Sequence, residues 1–315
     1  MPDKQPNTEP LGRASVTAPV AFNVGGVSAV CLGMLFFAAS TVIVKDSDVS
    51  GTTFATCRLW VGVTALWLVG IATGNRTTRE IWRASLLPGV LFAANIALFF
   101  EALRLSSVAN VTLITSIQPA LVFLVAGRLF GERVTKWDVG WTAASLGGIA
   151  LVVAGSASSP GWHPSGDALA LAAILIWTVF FLASKRIRAT TGTIEYFTAV
   201  LGVAAVALTP VMFLRGGTFA TPSARDWLLI VIVAIGPGTA GHLLITWAHR
   251  HVDVSLSSVI GVGQPILAAA GAALFLDEKL VALQVIGGII TIVAVIAVVR
   301  RRRVPIPDVV PEGAP

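Results

Sequence analysis

The sequence predicts an all-α integral membrane protein with ten transmembrane helices, arranged as two inverted five-helix repeats. Three observations lead to this fold class. Of the 315 residues, 55% are hydrophobic and only 12% are charged, which is about half the charged fraction of a soluble domain. Apolar stretches of about 20 residues recur along the chain, long enough to cross the hydrocarbon core of a bilayer as helices. The second half of the chain also repeats a motif from the first half.

The net charge of +6 does not indicate a nucleic-acid partner. The basic residues lie in short loops and in the C-terminal tail, where such residues orient a membrane protein. Cys31 and Cys57 lie in or close to predicted spans and indicate neither a disulfide framework nor a metal site. The sequence carries no Walker motif, so we expect no direct use of ATP, and no cofactor is predicted.

The ten helices are separated by turn signals such as DSDVSG at 46–51 and GNRTT at 74–78. We expect residues 1–21 to form a disordered cytoplasmic tail and residues 304–315 to form a second cytoplasmic tail. The predicted helices cover 27–45, 53–73, 84–103, 107–127, 137–154, 167–185, 194–214, 227–247, 254–275 and 283–300.

The distribution of Lys and Arg predicts the orientation. With the N-terminus in the cytoplasm, the inside segments hold sixteen Lys and Arg residues and the outside loops hold five. Because cytoplasmic loops carry the excess of basic residues, both termini are expected in the cytoplasm.

An internal repeat divides the chain. The segments SIQPALVFLVAGRLFGERV and GVGQPILAAAGAALFLDEKL align without a gap at an offset of 146 residues, so that Gln118-Pro119 falls on Gln264-Pro265. The repeats cover about 22–154 and 162–303. Because five spans is an odd number, the second repeat enters the membrane from the opposite side, and the repeats are expected to be inverted. The loop after predicted helix 4 is basic, whereas its counterpart after predicted helix 9 is acidic, as opposite insertion requires.

Inverted repeats predict a substrate site near the membrane midplane, where the two halves meet. Pro119 and Pro265 lie at matched depths, and each is expected to kink its helix and free a backbone carbonyl, that of Thr115 in the first half. Gln118 and Gln264 are expected to bind the solute. The alternative interpretation is that these are inert kinks and that the two amides hydrogen-bond across helices.

Three further polar or aromatic residues lie inside spans and are candidate solute contacts. Asn95 lies near the middle of predicted helix 3, and Trp177 lies in the middle of predicted helix 6, away from the interface that Trp usually marks. His242 lies in the inner half of predicted helix 8, where it is also a candidate for proton coupling. Ordinary packing is the alternative for each of them.

A charged residue also lies inside a span. Arg58 is a few residues into predicted helix 2, and such a charge is costly without a partner. Glu101 lies at a similar depth near the outer end of predicted helix 3. We therefore predict an Arg58–Glu101 pair that acts as an outer gate, with a static structural pair or a snorkelling Arg as the alternatives.

Residues 101–135 carry a recognisable motif. They contain an Ala-Leu-x-x-x-Ser-x-Ala-x-x-x-Leu run from Ala102 to Leu113, then the midspan Pro119, then Gly-Glu-Arg-Val-Thr. With the ten predicted spans, this motif closely resembles the EamA family of the drug/metabolite transporter superfamily, over about residues 25–302. Arg58 matches an Arg common in helix 2 of that family. In the second half, Gln264 stands where many members have Glu.

The resemblance implies a secondary transporter of the bacterial inner membrane, often an exporter of amino acids or related metabolites. From the residues and the resemblance together, we expect export of a small zwitterionic or neutral solute by alternating access. Uptake and a passive channel are alternatives. An enzyme is not expected, because the spans lack a nucleophile or paired acids at one depth. The expected partners are the solute, the lipid bilayer and, as an open alternative, a coupling proton; the chain is expected to be a monomer or a homodimer.

Overall fold

The structure is a computed structural model that describes residues 24–118, 120–121, 136–156, 163–188, 190–248, 252, 260–261 and 263–301. Every regular element in these ranges is helical. Both predicted tails, Pro119 and the second half of predicted helix 4 beyond residue 121 lie outside the described residues.

The described residues form twelve α-helices. In chain order they are α1 (Val24–Asp46), α2 (Gly51–Ala72), α3 (Arg79–Ala84), α4 (Leu86–Leu105), α5 (Val108–Thr115), α6 (Lys136–Ser156), α7 (Pro164–Arg188), α8 (Thr193–Leu214), α9 (Ala224–Ile235), α10 (His242–Ala248), α11 (Gly263–Phe275) and α12 (Ala282–Arg301). A π-helical segment, Gly236–Gly241, joins α9 to α10.

Six helices among the described residues are long and apolar enough to cross a membrane. They are Val24–Asp46, Gly51–Ala72, Leu86–Leu105, Pro164–Ser184, Thr193–Leu214 and the span Ala224–Ile245, which includes the π-helical segment. Val139–Gly155, Gly263–Phe275 and Ala282–Ala297 are shorter apolar helices. Large apolar side chains on these helices point outward: Leu68 is 55% exposed and Val206 is 63% exposed. An exposed apolar surface of this kind suits lipid and not water, so the prediction of an all-helical membrane fold is confirmed.

Short polar residues fix where several helices begin. The hydroxyl of Ser50 accepts a hydrogen bond from the N–H of Thr53 at the start of α2, and Ser107 does the same for Asn110 at the start of α5. Such side chains satisfy amides that have no partner in the first helical turn. These caps place the start of α2 two residues before the predicted one.

Two predicted helices differ from regular single helices. Predicted helix 3, at 84–103, corresponds to α4, and the short α3 precedes it with a break at Ser85. Predicted helix 8 changes from α-helix to π-helix at Gly236 and returns to α-helix at His242. Pro237 has no N–H to donate within this segment, which favours the wider turn there.

Helices from the two halves of the chain pack together in matched pairs. The contact between α4 and α7 is matched by an equivalent contact between α10 and α1. In the same way, the contact between α5 and α7 is matched by the contact between α11 and α1. α4 packs on α8 as α9 packs on α2. Equivalent helices of the two halves also pack on each other: α2 on α8, α5 on α11 and α6 on α12. Each half therefore presents equivalent helices to the other.

Candidate functional site

Many helix ends meet at one end of the bundle in a set of polar contacts, which we call the polar end layer. It contains the C-terminal ends of α1, α4 and α8 and the N-terminal ends of α2, α5, α7, α9 and α12. Its residues are Lys45, Asp46, Ser47, Asp48, Thr52, Glu101, Arg104, Ser106, Asn110, Asp167, Arg215, Arg225, Asp226, Glu278 and Gln284. Most of its contacts join the first half of the chain to the second.

Glu101 lies in this layer at the end of α4. Its Oε1 accepts hydrogen bonds from the backbone N–H of Thr52 at 3.0 Å and from the Thr52 hydroxyl at 2.7 Å, and it lies 3.3 Å from Nη1 of Arg215. The carboxylate is well placed there, because helix N-termini such as that of α2 attract negative charge. Glu101 therefore pairs with Arg215, and the predicted Arg58–Glu101 pair is not formed among the described residues.

The centre of the polar end layer is a chain of buried polar side chains. The hydroxyl of Ser106 donates to Oδ1 of Asp167 at 2.6 Å, and Asn110 donates to the same oxygen at 3.4 Å. Nε2 of Gln284 donates to Oδ1 of Asn110 at 2.8 Å. Ser106 and Asn110 belong to the first half and Asp167 and Gln284 to the second, so these hydrogen bonds connect the halves at the core of the bundle.

Glu278 closes the layer from the connection between α11 and α12. Its carboxylate accepts two hydrogen bonds from the N–H of Val108, the first residue of α5, at 3.0 and 3.2 Å. Burial raises the pKa of the Glu278 carboxyl above its ordinary value, and Lys45 and the amides of Val108 and Ala109 partly offset that effect. The carboxylate thus caps a helix of the other half.

Asn95 and Trp177 are brought together between α4 and α7. Nδ2 of Asn95 donates to the backbone carbonyl of Ala173 at 2.9 Å. The Trp177 ring lies 6.2 Å from that of Phe92 and 5.0 Å from that of Phe180, measured between centroids. Asn95 and Trp177 are both half-buried, so this interface offers an aromatic face beside an amide.

His242 occupies the corresponding place between α10, α1 and α8. Its ring centroid is 4.9 Å from that of Phe37 and 5.6 Å from that of Phe197. Phe37 precedes Trp177 by 140 residues, the same offset that places Gly26 on Gly166. The two aromatic clusters therefore lie on equivalent helices of the two halves.

Gln118 and Gln264 are half-buried, and neither side-chain amide is hydrogen-bonded to another described residue. The hydroxyl of Thr115 donates to the carbonyl of Val111 at 2.9 Å, so that side chain is turned back onto its own helix. α5 ends at Thr115 with Ser116 as its C-cap, four residues before Pro119. Pro265 is buried within α11. The convergence of the two glutamines on one solute remains a prediction.

Arg58 lies apart from these residues, between α2, α4 and the π-helical segment. It is 7% exposed, and neither Nε nor Nη1 has a hydrogen-bond partner among the described residues. Its guanidinium carbon lies 5.6 Å from the centroid of the Phe100 ring.

A cavity of about 640 Å³ opens at the opposite end of the bundle from the polar end layer. It lies between α3 and the turn from α7 to α8, and Thr78, Ile81, Ile187 and Glu195 are among its lining residues. It contains none of the residues predicted to bind the solute.

Sequence reasoning missed most of the polar end layer. Asp167, Asn110 and Gln284 are buried polar residues near helix starts. Their position within the first turn or so of apolar helices was a usable signal, because such residues need buried partners. Asn110 bonds to Asp167 and to Gln284, which are 57 and 174 residues away in the sequence. These pairings depend on how the helices pack and could not be predicted from the sequence.

Comparisons with known proteins agree with this architecture. The chain is 29% identical over 175 residues to the aromatic amino acid exporter YddG of Ancylobacter novellus, and the match covers 54% of this chain and 59% of that exporter. It is 23% identical over 283 residues to the pseudopaline exporter CntI of Pseudomonas aeruginosa, covering 88% of this chain and 97% of that exporter. A solved crystal structure, 23% identical, has a TM-score of 0.60 and covers 88% of this chain and 97% of its own, which shows a common fold.

The profile of the EamA-like transporter family matches residues 24–154 and again residues 164–300. These two ranges nearly coincide with the two repeats predicted at 22–154 and 162–303. Because the profile covers most of both halves, the chain belongs to the EamA-like transporter family.

Proposed function

We propose that the chain exports a small zwitterionic or neutral metabolite, an amino acid or a related solute, across the bacterial inner membrane by alternating access. In this proposal ten spans form two inverted five-helix repeats, and both termini lie in the cytoplasm. The polar end layer then faces outward. The names of the two relatives, one an exporter of aromatic amino acids and the other an exporter of pseudopaline, support a metabolite with polar and apolar parts.

The polar end layer is the observation that carries the proposal. Glu278, Asp167 and Arg215 of the second half each bond to a residue of the first half at the same end of the bundle. A carrier that is closed on one side has such a layer on that side, and separating the two halves at the layer would open that side.

The solute contacts proposed are Asn95, Thr115, Gln118, Trp177, His242 and Gln264. Trp177 and His242 lie in aromatic clusters on equivalent helices of the two halves. The half-buried amides of Gln118 and Gln264 are available to a solute. Amides beside aromatic faces suit an aromatic or branched amino acid. Thr115 contributes least to this proposal, because its hydroxyl already bonds to the carbonyl of Val111.

A passive channel is the second candidate, and the polar end layer argues against it. A channel needs a continuous aqueous path, whereas buried side chains such as Ser106, Asn110 and Gln284 fill the centre of this end.

The decisive experiment is counterflow in proteoliposomes. Vesicles containing the purified protein are loaded with unlabelled L-tryptophan, L-phenylalanine or L-leucine and exposed to a trace of the same labelled solute. A carrier gives transient, saturable accumulation of label, whereas a channel gives none. A pH gradient across the membrane, imposed in a parallel arm, shows whether a proton is coupled. Failure of every tested amino acid to show counterflow would refute export of this solute class.

Two variants test the proposed contacts. Gln118→Leu and Gln264→Leu should each reduce counterflow strongly while leaving the amount of folded protein unchanged, because each removes a polar contact to the solute and keeps the side-chain volume. Thr64→Val is the control, since the Thr64 hydroxyl is exposed and bonds only to the carbonyl of Trp60 within its own helix, as far as the described residues show. Normal counterflow in both glutamine variants would make these residues packing residues.

A further inference from the structure

The most unusual side chain in the described part of the molecule is Arg58. It lies in α2, about two turns from the polar end layer, and only 7% of its surface is exposed. Nε and Nη1 are buried and have no hydrogen-bond partner among the described residues. A buried guanidinium normally bonds to an acid or to carbonyls, because a charge removed from water is costly when it lacks a partner.

The described residues around Arg58 do not supply that partner to Nε or Nη1. Phe100 lies against the guanidinium at 5.6 Å, and Phe54 stacks edge-on against Phe100 at 5.7 Å. An aromatic face attracts a cation but does not accept the in-plane hydrogen bonds of a guanidinium. The nearby acid, Glu101, already bonds to Thr52 and Arg215.

The backbone next to Arg58 lies close against its guanidinium. Gly238 lies in the π-helical segment, and a Cβ atom at that position would be 3.0 Å from Nη2 and 3.1 Å from Nε of Arg58. Any larger residue would therefore press on the guanidinium. Single turns of π-helix inside α-helices occur frequently at functional sites. We define the Arg58 pocket as Arg58, Phe100 and Gly238.

We propose that the Arg58 pocket binds a carboxylate group, so that the guanidinium gains in the bound state the hydrogen bonds that it lacks in the empty state. The guanidinium presents its donors in a planar fork that matches a carboxylate in a bidentate geometry. This inference rests on the proposed function in one respect: the carboxylate is that of the exported solute, held between the central contacts and the polar end layer. A free small carboxylate has the same chemistry and is the other source.

The test measures the midpoint of thermal unfolding of the purified full-length protein in detergent, since a ligand that binds the folded protein raises this midpoint. The ligands are L-phenylalanine, L-phenylalaninamide, which lacks the carboxylate, and sodium acetate, each at matched ionic strength. L-Phenylalanine should raise the midpoint, and the amide should need a roughly tenfold or higher concentration for the same shift, because it cannot form the bidentate pair. A shift with acetate alone assigns the pocket to free carboxylates.

Arg58→Met is the decisive variant. It should abolish the carboxylate-dependent shift and also raise the midpoint without ligand, because it removes an unpaired buried charge and keeps an apolar chain of similar length. Arg58→Lys retains the charge but lacks the planar donors of a guanidinium, so L-phenylalanine should raise its unfolding midpoint by less. This variant keeps the test valid if Arg58→Met does not fold. Arg76→Met removes an exposed Arg after α2 and is the control; its shifts should equal those of the unaltered protein.

Two outcomes would overturn the inference: no carboxylate raises the midpoint of the unaltered protein, or Arg58→Met and Arg58→Lys both keep the full shift. The failure of the proposed function is seen separately. If counterflow of amino acids is absent while acetate still raises the midpoint through Arg58, then the pocket is real and the proposed export is not. The other case is that counterflow is normal and that Arg58→Met transports L-phenylalanine in preference to L-phenylalaninamide as strongly as the unaltered protein does. Export then stands, and the pocket does not bind the solute.

Discussion

Glu278 illustrates how one side chain can make the closed end of the bundle sensitive to pH. Its carboxylate caps α5 by accepting from the N–H of Val108, and burial raises the pKa of that carboxyl above the ordinary value of 4.5. The folded protein thus holds this proton more tightly than the unfolded chain does. The contribution of Glu278 to the free energy of unfolding is fully present below the unfolded pKa and is lost as pH rises through the folded pKa.

Glu278→Gln should therefore flatten the decrease in stability that occurs as pH rises above about 4.5. Glutamine stays neutral at every pH and can still accept a hydrogen bond from α5. The measurement is the midpoint of thermal unfolding in detergent as a function of pH, with the exposed Glu80→Gln as the control. An unchanged pH profile in Glu278→Gln would show that this carboxyl does not govern the stability of the polar end layer.

The candidate site was predictable residue by residue only in part. The sequence indicated Asn95, Trp177 and His242 because polar or aromatic residues deep in spans are exceptional. The partner of Glu101 was not predictable, because Arg58 and Arg215 both lie near the outer end of a span in the sequence. Glu101 bonds to Thr52 at the start of α2, so its partner is the Arg whose guanidinium reaches that point. This is Arg215, because α8 packs beside α2.

At the scale of helices, small residues set how closely two elements approach. The sequence indicates helix packing equally at four glycines, Gly147, Gly148, Gly287 and Gly288. In the structure α6 and α12 touch backbone to backbone: a Cβ atom on Gly148 would lie 2.7 Å from the carbonyl oxygen of Gly287 and 2.4 Å from the hydroxyl of Thr291. At Gly147 no atom of the described residues lies within 4 Å of the equivalent position.

Gly148→Ala should therefore lower the free energy of unfolding by about 1–3 kcal/mol, the usual cost of overpacking a tight contact. The adjacent Gly147→Ala is a matched control and should raise it by up to about 1 kcal/mol, because alanine favours a helix over glycine where there is space for its Cβ atom. Unfolding in detergent, followed by tryptophan fluorescence, would measure both. Equal effects of the two substitutions would mean that the helices do not meet at Gly148.

Element boundaries show what helical sequence patterns can and cannot predict. The ranges of α1, α2 and α8 lie within a few residues of those predicted, because turn residues and Ser caps mark their ends. The π-helical segment was not predicted. Gly236 and Pro237 signal an irregularity, but the hydrophobic pattern of α9 and α10 runs through it without a change of polarity. The width of one turn depends on its neighbours, here Arg58 beside Gly238.

In the whole molecule, equivalent helices of the two halves make equivalent contacts with each other. This relation was visible in the sequence as the 146-residue offset of the Gln-Pro motifs, since duplicated helices keep their rare residues. The polar end layer and the cavity opposite it were not visible, because they depend on which conformation the halves adopt relative to each other. A sequence specifies the repeated unit more directly than it specifies the side on which the bundle is closed.

Opposite insertion of the two repeats makes a prediction that labelling can test. The connections that follow α2 and α8 are equivalent in the two repeats, and in the structure they lie at opposite ends of the bundle, since α2 begins at the polar end layer and α8 ends there. Asn75 and Ala220 are exposed in these two connections. A single cysteine at each position, in a background with Cys31→Ala and Cys57→Ala, reports which side of the membrane it faces.

In intact bacterial cells a membrane-impermeant maleimide should label Ala220→Cys, and it should label Asn75→Cys only after the membrane is permeabilised. The reason is that the excess of Lys and Arg predicts a cytoplasmic position for the connection after α2. Labelling in permeabilised cells is the control that both cysteines can react. If both positions react from the same side, the repeats are not inverted, and alternating access about an axis between inverted halves loses its basis.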